Sequence, residues 1–313
     1  MSRCGGLYQL ESCLILSSHS LFSGGVAGTI ASCLTNPLEV IKTQLQSSTA
    51  NKGHPVAICR KIMQQDGLSG FFRGLPPTLV GIIPSRSAYF YAYQRSKRAL
   101  GPYLPEGSPP NALLSGLMAG IAGNTLTNPI WMVRTRMQLM VDATLGQKAY
   151  TGYGDAIMTI FREEGVAGFY KGIFSSYWGC TEGAMQFLLY EQFKTRLLRR
   201  KNKARAEQGL PPTEKLSEMT YFWSAAAAKM CASIITYPHE VARTRLREQS
   251  RSGVFKYHGM WQTLRVIGQE EGRKGLYSGM GIHLLKVVPN SAFMFLTYEV
   301  VKHWLEGFTI VEE

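Results

Sequence analysis

The nine residues from Asn128 to Arg136 read NPIWMVRTR, and two other stretches of the chain follow the same pattern. Residues 36–44 read NPLEVIKTQ, and residues 237–245 read YPHEVARTR. Counted from the proline, an acid or tryptophan stands at Pro+2, a basic residue at Pro+5, threonine at Pro+6, and a basic residue or glutamine at Pro+7. The copies recur at intervals of about a hundred residues, which indicates that one unit has been triplicated in tandem.

Two further motifs recur in the same order. The turn motif reads DGLSGFFRG at residues 66–74, EGVAGFYKG at 164–172 and EGRKGLYSG at 271–279. The last motif begins at Tyr93, Tyr190 and Tyr298. An acid or glutamine follows the tyrosine directly, and a lysine follows that residue three positions later. The predicted division is an amino-terminal segment (1–19), repeat one (20–104), repeat two (105–200), a polar loop (201–215), repeat three (216–306) and a tail (307–313).

Two long stretches lack charge, although the mean hydropathy of the chain is only −0.06. Residues Ser12 to Leu38 and Gly107 to Val133 contain no Asp, Glu, Lys or Arg. Each is long enough for a helix to cross a hydrocarbon core of about 30 Å. Later apolar runs, such as Val287 to Tyr298, are shorter and flanked by charge, so their helices can span only if charged faces turn inward.

Each repeat therefore predicts two membrane helices with a short helix between them. In repeat one these are Ser20 to Gln46, Val56 to Gln65 and Pro76 to Leu100, and Pro37 should kink or break the first helix. In repeat two the short helix covers Gly154 to Arg162. Glycines four apart, as at Gly24 and Gly28, allow close helix packing. The expected fold is an all-α membrane protein with six transmembrane helices in three pseudo-threefold repeats. Arg199 to Lys215 is expected to form a solvent loop.

The net charge of the chain and the absence of catalytic and metal-binding motifs limit the functions that the protein can have. The net charge of +13 suits a nucleic-acid-binding repeat protein, an anionic lipid contact or an anion-attracting cavity. A nucleic-acid binder would carry exposed aromatics among lysines rather than charge-free helices. The six cysteines form no C-x-x-C pair and no metal-ligand spacing with histidine, so we expect them to be reduced. The chain also lacks a P-loop and an HExxH motif, so no catalysis, cofactor or metal is expected. No amino-terminal targeting signal is evident, so any organelle address must be internal.

The three stretches that begin at residues 36, 128 and 237 are called the proline motif below. Their charged residues are expected to form ion pairs with one another. Pro+2 and Pro+5 are three residues apart and share one helix face. Three such faces around a pseudo-threefold axis would pair Glu39 with Arg134 and Glu240 with Lys42, because charge at membrane depth is tolerated when it is paired. Trp131 replaces the third acid, so we expect it to fill space by packing or to offer a cation–π face. Arg243 then lacks its acid across the ring, and the ring is one pair short.

The last motif repeats this arrangement at the other end of the helices, again with one acid replaced by glutamine. The residues involved are Gln94, Lys97, Glu191, Lys194, Glu299 and Lys302. Two weak gates suit a protein that opens one end while it closes the other.

These three motifs in three tandem copies resemble the mitochondrial carrier family over almost all of residues 20 to 305. Finer features resemble the pyrimidine nucleotide carriers: Pro129-Ile130-Trp131, Thr181-Glu182-Gly183 with residues 188–192, and the segment 237–247. The Pro-Ile-Trp variant also resembles the flavin/folate and nicotinamide-dinucleotide carriers. The resemblance implies a location in the mitochondrial inner membrane, short helices on the matrix side, a cytoplasmic gate formed by the last motif, and a glutamine brace across an ion pair at Gln44. It places the matrix gate at Glu39, Lys42, Gln44, Trp131, Arg134, Glu240 and Arg243.

The resemblance also implies substrate contact points at Gly81, Gly179 and Lys286. Lys286 and Arg86 would bind phosphates in a low-dielectric cavity, and the glycines leave room for a flat base. Glu182, Gln186 and Asn290 would read the base edges by hydrogen bonds, and Lys229 would line the cavity. For Arg86 or Lys229 the alternative is a role in hydrogen bonding between helices.

The expected activity is exchange of pyrimidine nucleotides by alternating access, with transport of NAD, FAD or folate as the alternative. The expected partners are the nucleotide substrate and an anionic lipid such as cardiolipin, without nucleic acid. The protein is expected to be a monomer.

Overall fold

The computed structural model describes residues 26–48, 54–105, 108–139, 150–213, 215–248 and 256–309. In the last helix, the side chains at 288, 291, 292, 294, 295, 298, 299 and 302–309 lie outside this description. Gly24 of the first small-residue motif and most of the first charge-free stretch also fall outside it.

Every regular element in the described ranges is helical, and each repeat contributes two long segments with a short helix between them. Repeat one contains α1 (26–46), α2 (Pro55–Asp66), a 3₁₀ turn (Gly67–Phe72) and α3 (Leu75–Leu100). Repeat two contains α4 (Pro109–Gln138), α5 (Tyr153–Gly168) and α6 (Ile173–Glu207). Repeat three contains α7 (Glu218–Thr236), α8 (Pro238–Leu246), α9 (Met260–Glu270), α10 (Gly272–Leu276) and α11 (Met280–Thr309).

The three signature prolines do not act alike. Pro129 lies inside α4, and α1 also continues through Pro37. At Pro238 the helix divides, so that α7 ends at Thr236 and Pro238 begins α8. Proline is well tolerated at a first helical position, where its missing N–H removes no helical bond.

The prediction of a solvent loop from Arg199 to Lys215 is partly wrong, because α6 continues through Arg199 as far as Glu207. The segment from 199 to 207 is rich in arginine, lysine and alanine, which favour helix. The helix stops at Gly209, whose φ of 69° is left-handed, while the Leu210 N–H donates to the Arg205 carbonyl at 2.9 Å. This is the usual glycine termination, and Pro211 and Pro212 follow it.

The buried apolar side chains form three small clusters, one in each repeat, where the short helix packs on the end of the proline-containing helix. Ile62, Ile160 and Ile267, each at most 1% exposed, occupy equivalent places in these clusters. On the long helices, in contrast, large apolar side chains such as Ile83 and Trp223 are exposed. The clusters therefore anchor the signature motifs, and apolar surface is left on the outside.

The turn glycine before each second long helix touches the next repeat. A Cβ on Gly74 would lie 3.1 Å from the Arg134 carbonyl oxygen, and one on Gly172 would lie 3.3 Å from that of Arg243. One on Gly279 would lie 3.2 Å from the carbonyl oxygen of Lys42. Repeat one thus contacts repeat two, repeat two contacts repeat three, and repeat three returns to repeat one. The contacts between repeats therefore form a closed cycle.

Within the described part of the chain, no helix contains a stretch apolar and charge-poor enough to qualify as a membrane span.

Candidate functional site

The charged residues of the proline motif lie together at one end of the helices, which we call the signature end. Lys42 Nζ is 2.5 Å from a carboxylate oxygen of Glu240, and an Arg134 guanidinium nitrogen is 3.5 Å from one of Glu39. Both ion pairs predicted from the sequence are therefore present. They join repeat one to repeats three and two. We call the set Glu39, Lys42, Trp131, Arg134, Glu240 and Arg243 the signature ring.

Trp131 occupies the place of the third acid. Its indole N–H donates to the Thr127 hydroxyl at 2.9 Å, and the Arg134 guanidinium lies 5.4 Å from the ring centroid, within cation–π range. Arg243 forms no ion pair with an acid of another repeat among the described residues, so the ring is one pair short, and its guanidinium lies 3.7 Å from Glu240 on its own helix. Glu240 thus forms ion pairs with both Lys42 and Arg243.

The three predicted contact points abut this ring. Lys286 forms an ion pair with Glu39, so Glu39 also has two cationic partners. A Cβ on Gly81 would meet the Ile130 side chain at 3.1 Å and the Trp131 ring at 3.5 Å. One on Gly179 would lie 2.9 Å from His239 Nε2. Each contact point therefore faces the Pro+1 or Pro+2 residue of the next repeat. At Gly81 and Gly179 the absence of a side chain makes room for the large residue opposite, whereas Lys286 and Glu39 meet as an ion pair.

The remaining cavity candidates differ in how they are held. Glu182 accepts hydrogen bonds from Lys229 and Ser233, both at 2.7 Å, so Lys229 makes the interhelical contact that the sequence left as its alternative role. The Thr35 hydroxyl bonds to Asn290 Oδ1 at 3.2 Å. Arg86 is exposed and Gln186 is half-buried, and neither bonds through its side chain to another described residue.

Gln44 does not brace an ion pair. Its side-chain amide donates to the Gln138 backbone carbonyl. Arg136 Nε donates to the carbonyl of Arg247 at 3.0 Å, and Arg245 Nε to that of Gln46 at 2.6 Å. Each Pro+7 side chain therefore caps the Pro+9 backbone of the next repeat, and Gln44 does what the two arginines do elsewhere.

The Pro+6 threonines form a second ring of contacts that the sequence analysis missed. Thr43 donates to the Gln138 side chain at 3.1 Å, and Thr244 donates to that of Gln46 at 2.8 Å. Thr135 accepts from the guanidinium of Arg247 at 3.2 Å. The signal was available, since the threonine is present in all three copies, but its partner is in another repeat.

Arg247 is the other missed residue. It is 5% exposed, and its guanidinium also donates to Asn128 Oδ1 at 2.8 Å and to the Ser176 hydroxyl at 3.3 Å. No carboxylate in the described ranges lies within ion-pair distance of it. Its acceptors all belong to repeat two, so Arg247 joins repeats two and three at the junction where Trp131 has replaced the acid.

The turn motifs are tied to the proline motifs by buried charge. Arg136 pairs with Glu164 at 2.5 Å and Arg245 with Glu271 at 2.8 Å, each within its own repeat. Lys171 also pairs with Glu164, at 2.8 Å, although partial burial lowers the pKa of this lysine. In repeat one, where Pro+7 is glutamine, Asp66 pairs with Arg73 instead. These pairs hold the short helices at the signature end.

The opposite ends of α3 and α6, which we call the tyrosine end, differ from the signature end in their ion pairs. Lys194 is 3.6 Å from Glu191 on its own helix, and both side chains are more than a third exposed. Gln94 is exposed and Lys97 is half-buried. The side chains of Glu299 and Lys302 lie outside the described residues. Among the described side chains, no ion pair joins different helices at this end.

A metal site was not predicted, yet donor atoms of Glu182, His239 and Glu240 lie within 4.8 Å of one another. Lys229 already neutralises Glu182, and Lys42 neutralises Glu240. The arrangement therefore needs no cation for charge balance. Counting Lys286 and Arg247, the signature end contains more cations than carboxylates, which favours an anionic ligand.

Known proteins match the whole repeat structure. The mitochondrial carrier protein family matches residues 16–104, 105–201 and 214–308. Solute carrier family 25 member 36 of Mus musculus is 38% identical, covering 92% of this chain and 97% of the relative. Member 33 of Homo sapiens is 38% identical, covering 92% and 95%. The mitochondrial pyrimidine nucleotide transporter of Saccharomyces cerevisiae is 36% identical, covering 89% and 84%. The matched segments follow the three repeats of the cyclic fold, and the chain belongs to the mitochondrial carrier family.

Proposed function

We propose that this protein exchanges pyrimidine nucleotides across the mitochondrial inner membrane by alternating access. The observation that carries the proposal is the signature ring, closed by ion pairs between repeats and surrounded by excess positive charge. The yeast relative, which is similar along most of the chain, is a pyrimidine nucleotide transporter, and this supports pyrimidine nucleotides as the substrate class.

The long segments α1, α3, α4, α6, α7–α8 and α11 are the six proposed membrane crossings. At 1.5 Å per residue, α3 alone is about 39 Å long, enough to cross a hydrocarbon core of about 30 Å. The exposed apolar side chains on these helices would face lipid. The short helices α2, α5 and α9 would lie on the matrix surface beside the signature end.

In this assignment the signature ring is the matrix gate and the tyrosine end is the cytoplasmic gate. The present conformation, with ion pairs between repeats at one end and none between the described side chains at the other, corresponds to the state open toward the cytoplasm. Transport requires Glu39 and Glu240 to leave their partners while the tyrosine end closes. A nucleotide that binds better to the intermediate arrangement lowers the barrier to this exchange.

The substrate phosphates would take Lys286 away from Glu39, assisted by Arg86. Glu39 would then retain Arg134 alone, so substrate binding would weaken the closed gate. The polar groups of Glu182, Gln186, Asn290 and Lys229, together with the space beside Gly81 and Gly179, would accommodate the base and sugar. No cofactor is needed for this cycle, and we expect the monomer to perform it in a bilayer containing anionic lipid.

Uptake into reconstituted vesicles tests the substrate class. Vesicles loaded with UTP should take up labelled pyrimidine nucleotides, and unlabelled pyrimidine nucleotides should compete with this uptake. Uptake of NAD, FAD or folate without pyrimidine nucleotides would replace the substrate by the alternative that the Pro-Ile-Trp signature suggests, and would leave the fold and the gates unchanged.

A further inference from the structure

A groove lies between the carboxy-terminal half of α6 and the start of α7. Its volume is about 710 Å³. Phe193 and Leu197 line it from α6, and Met219 and Trp223 line it from α7. Met219 and Trp223 are 65% and 63% exposed, so this apolar surface is not covered by the described parts of the chain.

Three arginines of α6 complete the wall: Arg196, Arg199 and Arg200. All three are exposed, and none forms an ion pair with another described residue. A single groove thus combines apolar side chains with three cations. This combination matches a ligand that has an anionic group at one end and a hydrocarbon body at the other.

The groove lies beyond the proposed substrate contact residues, because its arginines follow Glu182 on α6 by about 21–27 Å along the helix axis. Lys229, which bonds to Glu182, marks the inward face of α7. Ala227 lines the groove and is two residues earlier, about 200° around the helix. The arginines also lie about 35–40 Å along α6 from its first residue, which is more than the thickness of a hydrocarbon core. At that level an arginine side chain meets lipid headgroups.

From this geometry we infer that the groove binds an anionic phospholipid of the bilayer leaflet at the tyrosine end. The phosphate is held by Arg196, Arg199 and Arg200, and an acyl chain lies along Phe193, Leu197, Met219 and Trp223. Tryptophan is well suited to this level because its ring is apolar and its N–H is polar. The inference rests on the membrane insertion proposed above, but not on the identity of the transported substrate.

The position of Trp223 provides a direct test. The full-length protein is placed in phosphatidylcholine nanodiscs that contain either brominated phosphatidylglycerol or brominated phosphatidylcholine at the same mole fraction. Bromine quenches tryptophan fluorescence at short range. The Trp223 contribution is the difference between the protein and its Trp223→Phe variant. We expect stronger quenching of Trp223 by the brominated anionic lipid than by the brominated zwitterionic lipid.

The triple variant Arg196→Gln, Arg199→Gln, Arg200→Gln should abolish this preference, and each single change should weaken it by about fivefold or less. A matched variant, Arg60→Gln, Lys61→Gln, Arg162→Gln, removes the same charge from exposed sites on α2 and α5 and should retain the preference. Equal quenching by both lipids, or a preference that survives in the groove triple variant, would overturn the inference.

Nucleotide uptake by the same protein variants, reconstituted into vesicles of the same lipid compositions, separates this inference from the proposed function. If nucleotides are taken up but Trp223 shows no preference for the anionic lipid, only the lipid site is contradicted. If Trp223 shows the preference but no nucleotide is taken up, only the transport proposal is contradicted. If the triple variant does not fold, the single Arg196→Gln variant provides the comparison.

Discussion

Arg247 stands at a position where the other two repeats have glutamine, Gln46 and Gln138. A buried guanidinium without a carboxylate partner is costly, because desolvation of the charge is offset only by hydrogen bonds. Here those bonds come from repeat two, at the junction that lacks an ion pair in the signature ring. We interpret Arg247 as the residue that closes this junction.

Replacing Arg247 by glutamine should weaken the contact between repeats two and three without a change of helix. Glutamine can retain the bond to Thr135, as Gln138 does with Thr43, but it loses the bonds to Asn128 and Ser176. We expect a cost of about 1–3 kcal/mol. Thermal unfolding should therefore begin a few degrees lower. Arg60→Gln, on the exposed face of α2, is the control. An unchanged unfolding temperature would show that Arg247 does not join the repeats.

Lys286 links the proposed substrate contact points to the signature ring, because it pairs with Glu39. Lys286→Ala should abolish nucleotide exchange, because the phosphate loses its cation, whereas Glu39 still keeps Arg134. Uptake and thermal unfolding measured on the same preparation separate the two effects. Lys203→Ala, in the exposed last turns of α6, should transport normally. Normal exchange by Lys286→Ala would remove this residue from the proposed site.

At the scale of the elements, the turn motif controls how each second long helix begins. Gly172 has a φ of 75° and lies against the backbone of repeat three. A left-handed backbone costs an ordinary L-residue about 1–2 kcal/mol. Both features require glycine here, and they recur at Gly74 and Gly279, so the turns set the distance between neighbouring repeats.

Two glycines near α6 give opposite expectations for the same substitution. Gly172→Ala should destabilise the protein by about 1–2 kcal/mol, from the backbone conformation alone. Gly183→Ala should be neutral or stabilise it by up to about 1 kcal/mol, because Gly183 is helical and an added Cβ meets nothing within 4 Å. Thermal unfolding of both variants is the measurement. Similar effects of the two changes would contradict the role assigned to the turn.

The Lys42 and Glu240 pair joins the first and third repeats, so its effect should depend on both partners. Removing one charge of a buried pair costs about 3–5 kcal/mol. The exchanged pair, Lys42→Glu with Glu240→Lys, should recover part of this loss in unfolding and uptake measurements. Recovery will be incomplete because Arg243 then faces a lysine. Strictly additive damage would show that the two residues are not coupled.

For the whole molecule, the two ends differ in the way that the proposed alternating access requires. Ion pairs close the signature end, whereas the described charges at the tyrosine end pair only within a helix. Spin labels on Arg98→Cys and Thr195→Cys, exposed residues next to the motif lysines of α3 and α6, should move closer together when UTP is added to a variant without the native cysteines. Pulsed electron resonance measures this distance. The same labels with Lys286→Ala should not respond, and a distance insensitive to UTP in the unmodified site would contradict alternating access.

Much of the architecture follows from local sequence spacing. Three copies of each motif predict three repeats, and the offset from Pro+2 to Pro+5 places Glu39 and Lys42 on one helix face. Glycine, proline and acid in the turns predict where the helices begin and end. Polar composition predicts a loop after Arg199, but α6 continues there because these residues favour helix.

By itself, the sequence determined the triplication, the helical elements and the two ion pairs of the signature ring, because these depend on periodicity within a helix and on the need to pair buried charge. Only the tertiary structure decided that Lys286 shares Glu39, that Gln44 caps a backbone carbonyl, and that Arg247 closes the third junction. These contacts join each repeat to the next around a closed cycle. Their geometry depends on how the three units pack, which no spacing along the chain records.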